Sequence, residues 1–121
     1  MFDPVASSIG YIRAGKLRPL GVTSATRVLV LPEVPPIADF VPGYEASGWS
    51  GIVAPAKTPP LVIAILNKEV NAALADAAFK ARIADLGSEP FATSPTEFHD
   101  FIIEYTEKWK RVIQTAGIKA E

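Results

Sequence analysis

Cysteine is absent from this sequence, which excludes disulfides, thiolate nucleophiles and thiolate metal sites and leaves the redox compartment open. Histidine is almost absent as well, with His99 alone. An excess of one charge sign is also missing: twelve Lys and Arg stand against thirteen Asp and Glu, scattered along the chain for a net charge of -1. A protein that displaces counterions from a phosphate backbone gathers cations on one face, so nucleic acid is excluded as a partner. No apolar run reaches the roughly 20 residues that cross a bilayer, which argues against direct membrane insertion. The opening residues MFDPVASSIG carry no positively charged start leading into an apolar stretch, so no secretory signal is readable in them. What is present is an ordinary globular composition, 49% hydrophobic and 21% charged over 121 residues. That length supports one core and the burial of about two-thirds of the surface the unfolded chain exposes.

The first third of the chain alternates short periodic segments with loops. Met1 to Asp3 reads as the end of a strand that opens, through Pro4, into a short helix carrying Val5, Ile9 and Ile12 on one side and stopping at Gly15. Leu17 to Thr23 reads as a buried strand, with Val28 to Leu31 more in keeping with loop. Four of the eleven prolines fall between Pro32 and Gly43, which removes backbone donors and predicts an ordered, meandering connection. Tyr44 to Ala54 reads as a strand with a bulge near Gly48 or Gly51.

The remainder is predicted helical. Thr58 is placed to cap a helix that has proline in its first turn and runs to about Ala75, with Val62, Leu66, Val70, Ala73 and Leu74 on one face. Asp76 can cap a second, shorter helix, Ala77 to Leu86, ended by Gly87, and Glu89 to Phe91 reads as a small terminal strand. Ser94-Pro95-Thr96-Glu97 is a capping box, in which hydroxyl and carboxylate satisfy free amides reciprocally. It opens a last helix whose stripe is Phe98, Phe101, Ile102, Tyr105, Trp109, Val112, Ile113 and Ala116, ending at Gly117.

Catalytic chemistry is sparse. His99 falls opposite the Phe98, Ile102 and Tyr105 face and reads as a solvated helix residue. Ser7, Ser8, Ser24, Ser47 and Ser50 offer hydroxyls, but none sits in a glycine-flanked nucleophile elbow or pairs with a base. The carboxylates of Asp76, Asp85, Glu97, Asp100, Glu104 and Glu107 lie at helix starts or beside lysines, where dipole and charge complementarity account for them without a metal. Trp109 belongs to the apolar stripe, whereas Trp49, between Gly48 and Ser50, suits either packing or ligand stacking. An enzyme is not expected.

Several words of the sequence, in order, resemble one family: AGKLRPLGVTSATR, LPEVPP, PGYEASGWSGIVAPAKTPP, LNKEVNAAL, LGSEP and SPTEFHDFIIEYTEKWKRVIQTAGI. Together they are similar to the C-terminal part of the substrate-binding proteins of tripartite tricarboxylate transporters, the Bug (TctC-like) family, over nearly the whole chain. After LPEVP the family usually has threonine and then a glutamate near a glycine, where this chain has Pro36, Asp39 and Phe40. A family member would also carry a long stretch before Met1, with a signal peptide, a first βα unit and the start of the second lobe.

The resemblance implies an α/β fold, part of a type II periplasmic-binding-protein (Venus-flytrap) clamshell, with a short mixed sheet and a long C-terminal helix. Residues 1-46 would be a remnant of the second lobe and 47-121 the crossing strand and helical part of the first, packed as one compact unit. It implies no cofactor, no metal and no catalysis. The implied ligand is a small carboxylate, captured by helix-start amides and short hydroxyls, with a membrane permease as downstream partner. On that resemblance the ligand-binding candidates are Phe2, Asp3 and Ser24, and Gly48 and Gly51 are hinge candidates. Periplasmic location follows from the family, and cytoplasmic location from the chain as written. Unpaired strand edges and an uncovered helix face predict a homodimer or larger assembly. The alternative function is a non-binding remnant that self-associates as a structural α/β domain.

Overall fold

The computed structural model describes residues 1–119, and the regular structure among them is helical. Helix α1 spans Val5–Arg13, α2 Pro60–Ala75, α3 Ala77–Asp85 and α4 Pro95–Thr115, with a single 3-10 turn at Ile37–Asp39. The helix ends follow from local chemistry. At the C-terminus of α1, α3 and α4 the chain makes the same paired closure: Lys16 N–H donates to Tyr11 C=O and Gly15 to Ile12, Ser88 to Ile83 and Gly87 to Ala84, Ile118 to Ile113 and Gly117 to Gln114. These are Schellman motifs, which satisfy carbonyls the helix itself leaves orphaned. Asp76 closes α2 and opens α3, its Oδ1 accepting from the Phe79 N–H at 2.8 Å. The capping box forms as predicted, with Ser94 N–H donating to Glu97 Oε2 at 2.7 Å and Glu97 N–H to Ser94 Oγ at 3.2 Å. Thr58 departs from expectation: the residue before α2 is Pro59 and no side chain caps that helix.

The short mixed sheet predicted from the sequence does not form among the described residues. Among the described residues Met1 to Asp3, Leu17 to Thr23, Tyr44 to Ala54 and Glu89 to Phe91 form no ladder, and pairing is limited to an isolated parallel bridge between Val22 and Pro36. Val22 N–H donates to Pro35 C=O at 3.0 Å, Ile37 N–H donates to Val22 C=O at 2.9 Å, and Ala46 N–H reaches Thr23 C=O at 2.9 Å. Toward Val34 the bridge cannot extend because Pro35 has no N–H to offer, and beyond Ile37 the chain enters the 3-10 turn, where Asp39 N–H donates to Pro36 C=O at 3.1 Å instead. Residues 47–54 are extended, yet none of their N–H groups bonds to a backbone carbonyl among the described residues. A strand needs a second segment at the right spacing, and local propensity does not provide one.

Two packing centres result. Ile9, Val22 and Val34 are buried, with Ser8 and Pro36 beside them in the same burial class. The second centre is aromatic: Trp49 stands edge-on to Phe98, Phe101 and Tyr105, with ring centroids 5.6, 5.2 and 5.7 Å away. Phe91 meets Phe101 at 5.5 Å and Tyr105 meets Trp109 at 6.0 Å. Trp49 is thus a packing anchor for the extended segment. Polar ties reinforce it, Tyr105 Oη donating to Ser47 C=O at 2.8 Å and Lys108 Nζ to Glu45 C=O at 3.0 Å. Just ahead of α4, Asn67 and Asn71 of α2 both donate to Thr93 C=O, at 2.8 and 3.0 Å.

Close approach decides two glycines. A Cβ at Gly51 would overlap the Phe98 ring, which accounts for this glycine by packing. A Cβ at Gly87 would meet Val5 Cβ at 2.9 Å and Val30 Cγ2 at 3.1 Å, so the end of α3 presses on the start of α1.

Candidate functional site

The residues singled out from the sequence lie at two places. Phe2 and Asp3 precede α1 in non-helical chain, with Phe2 79% exposed. Asp3 Oδ2 accepts from Ser7 Oγ at 2.8 Å, and that hydroxyl also lies 2.9 Å from Pro4 C=O. The carboxylate therefore orients a first-turn side chain, as acidic groups at helix starts commonly do. The N–H groups of Val5 and Ala6 take part in no hydrogen bond among the described residues. Ser24 follows the Val22 bridge and donates from Oγ to Thr26 C=O at 2.6 Å, which leaves the lone pairs of its hydroxyl available. No hydrogen bond joins Ser24 to Phe2 or Asp3 among the described residues.

Beside α1 runs an open groove of about 410 Å³ lined by Ser7, Ile9, Tyr11 and Lys16 among others. Ser7 and Tyr11 are four apart on one helix face, the spacing by which the sequence could have shown them as a pair. A second open groove, about 510 Å³, lies between α2 and the start of α4, lined by Thr58, Ile63, Asn67, Lys68 and Pro95. Ser7, Ile9, Thr58 and Pro95 carry sequence signals as a hydroxyl, a helix-face residue and helix-start residues, and none of those signals marks a groove. His99 is exposed on α4, as its helical position predicts. No group of three or more His, Asp or Glu residues gathers among the described residues in a way that could hold a metal ion. No helix there is long and apolar enough to cross a membrane.

Two carboxyl groups are perturbed, both by structural partners. Glu45 is held below its ordinary value, first by the hydrogen bond from Lys108 and then by bonds from Ser47. Glu97 is lowered by the Ser94 N–H and hydroxyl of the capping box. Neither adjoins Phe2, Asp3 or Ser24 in the sequence. The free Val5 and Ala6 amides are donors at a helix start, and among the described residues no nucleophile is paired with a base.

A family profile described as "TctC: Tripartite tricarboxylate transporter family receptor" matches residues 1–118. The chain belongs to this family, which is one of solute-binding receptors rather than of enzymes. It is 38% identical over 115 residues to a UPF0065 protein from the tcbD-tcbE intergenic region of a Pseudomonas species, covering 93% of this chain and 34% of that one. To BugT of Bordetella pertussis it is 34% identical, covering 90% and 34%. Among solved structures, R. palustris Rpa4515 with adipate superimposes with a TM-score of 0.87 at 34% identity, covering 93% of this chain and 38% of the other. The periplasmic binding protein BugD superimposes at 0.86 with 30% identity, covering 94% and 39%. The residues therefore follow the path of a periplasmic-binding-protein fold even where no sheet forms. The chain spans about a third of the length of these two curated relatives.

Proposed function

We propose that this chain contributes to the capture of a small carboxylate by a periplasmic receptor that delivers it to a tripartite-type membrane permease. The single observation that carries the reading is the superposition, over 93% of the chain, on R. palustris Rpa4515, a protein solved with adipate. Adipate is a dicarboxylate, and its class suits groups that neutralise an anion by hydrogen bonding. Residues 1-46 belong in this reading to one lobe of the clamshell, and residues 47-121 to the crossing segment and the other lobe.

The binding groups proposed are Phe2, Asp3 and Ser24. Phe2 supplies an apolar wall for the ligand's methylenes. Asp3, itself an anion, acts by holding Ser7 and the α1 start in place, so that the free Val5 and Ala6 amides meet the carboxylate. Ser24 offers a hydroxyl whose lone pairs are unused. Gly48, where a Cβ would meet open space, is the proposed hinge between lobes.

The test is a thermal-shift titration of the chain with adipate, citrate, nicotinate and acidic amino acids. A ligand that binds the folded state raises the melting temperature by mass action, by an amount that grows with its concentration. Ser24→Ala and Asp3→Asn should shrink that rise while leaving the ligand-free transition in place. A flat response to every compound favours a second reading, a domain that binds no solute and associates with itself. The observation behind that alternative is the exposure of large apolar side chains along the chain, Leu20, Phe40 and Val53 among them.

A further inference from the structure

Ser24 is fastened at more than one point, and one line of fastenings leads from it to α4. Its hydroxyl donates to Thr26 C=O at 2.6 Å, while the backbone just before it is held twice: Val22 is bonded to Pro35 and Ile37, and Thr23 C=O accepts from Ala46 N–H at 2.9 Å. Ala46 is the link to the rest of the chain. The residue before it, Glu45, accepts from Lys108 Nζ on its carbonyl at 3.0 Å and on its carboxylate, and the residue after it, Ser47, accepts from Tyr105 Oη on its carbonyl at 2.8 Å. Tyr105 and Lys108 stand three apart on α4, a spacing that places both side chains on one helix face. That face grips both flanks of Ala46. The grip is itself held: the Tyr105 ring lies 5.7 Å from those of Trp49 and Phe101, and Lys108 Nζ lies 5.9 Å from the centre of the Trp109 ring. The hydrogen bond from Lys108 also keeps the Glu45 carboxyl below its ordinary value, so the pair is charged at neutral pH.

From this line of contacts we infer that Tyr105 and Lys108 of α4 are positioning residues for Ser24. By gripping Glu45 and Ser47 they keep the Ala46 amide on the Thr23 carbonyl, and so set the place of the hydroxyl one residue further on. Neither acts by touching the ligand. The inference rests on the reading of Ser24 as a carboxylate-binding group and adds to it a cause: the affinity that this hydroxyl supplies is set in part from α4.

The experiment measures adipate affinity by calorimetry in the parent chain, in Lys108→Met, Tyr105→Phe and Ser24→Ala, and in each α4 change combined with Ser24→Ala. Tyr105→Phe keeps the ring among its aromatic neighbours and removes the hydroxyl alone. Each single α4 variant should weaken adipate binding about threefold, in keeping with the net worth of one hydrogen bond. On the Ser24→Ala background the same change should cost nothing further, because a residue that acts through Ser24 has nothing left to place. A merely structural role would instead add its loss in full. Ser94→Ala, which loosens the start of the same helix, should leave affinity unchanged. Without ligand, hydrogen exchange at the Ala46 and Ser24 amides should quicken about threefold or more in Lys108→Met and Tyr105→Phe, and stay as in the parent in Ser94→Ala. Parent-like affinity in both α4 variants, losses that add in full to that of Ser24→Ala, or parent-like exchange at Ala46 would overturn the inference. A parent chain that does not bind adipate removes the proposed ligand instead, and exchange then judges the placement alone: quickening in both α4 variants upholds it, and unchanged rates overturn it.

Discussion

The two parts of the chain, before and after residue 46, invert the usual relation between order and burial. The first part has one short helix, a 3-10 turn and long irregular stretches, yet it contains every residue of the described chain that is buried: Ser8, Ile9, Val22, Val34 and Pro36. The second part has three well-ended helices and not one buried residue among those described. Regular structure and a core are therefore separable. Helices of the second part are specified by caps and periodicity near in sequence, whereas burial needs a second layer on top.

Substitutions at the contact between the two parts should have the largest effect. Gly87→Ala forces a side chain into a left-handed backbone position with φ 72° and into Val5, so a loss of about 3 kcal/mol is expected in urea unfolding. Gly117→Ala, with a similar φ of 66° but open space around it, should cost only about 1 kcal/mol. Equal losses at the two glycines would mean that the end of α3 does not press on α1. Next, Trp49→Ala should cost about 2 kcal/mol, because it empties the centre of three edge-on aromatic contacts while the side chain is already 41% exposed. The loss should appear as faster hydrogen exchange in the residues around it and at the start of α4.

Smaller effects should test how local the second part's order is. Ser94→Ala removes one arm of the capping box and should cost about 1 kcal/mol, seen as fraying of the Glu97 and Phe98 amides with Val22 and Val34 undisturbed. The smallest effect belongs to the ion pair between Lys108 and Glu45, whose side chains are 35% and 38% exposed and whose worth is about 1 kcal/mol or less after screening. Glu45 is depressed below its ordinary value of 4.5, so its contribution is fully present above that pH and fades as pH falls through the lower folded value. Glu45→Gln should flatten the acid limb of a melting-temperature profile slightly and leave neutral pH nearly unchanged.

Much of the second part was legible beforehand because its signals lie within a few residues of one another. Asp76, Gly87, Ser94 with Glu97, and Gly117 all act where their sequence context says. Thr58 misled because two consecutive prolines follow it, and the helix begins late enough that Pro59 takes the cap position. The strands misled for a different reason. Leu17 to Thr23 and Tyr44 to Ala54 have the composition of strands and the latter is extended, but extension becomes a strand only when another segment answers its hydrogen bonds. Pro35 on one side and the 3-10 turn on the other stop the bridge that begins between Val22 and Pro36. Of the candidate site, the helix-start chemistry of Asp3 was readable, while its bond to Ser7 and the groove holding Tyr11 and Lys16 required coordinates.

The amino-acid order alone determined where the helices start and stop, which faces of them are apolar, and, through the ordered words from AGKLRPL to AGI, the family. Those properties arise from hydrogen bonds and side-chain spacings that reach no further than a turn or two. Only the tertiary structure decided that Trp49 packs among Phe98, Phe101 and Tyr105, that Gly51 and Gly87 leave room for neighbours, and that Ile52, Val53 and half of α2 stand uncovered. Those facts depend on segments far apart in sequence meeting, or having nothing to meet, and burial is settled by the layer that lies across a surface.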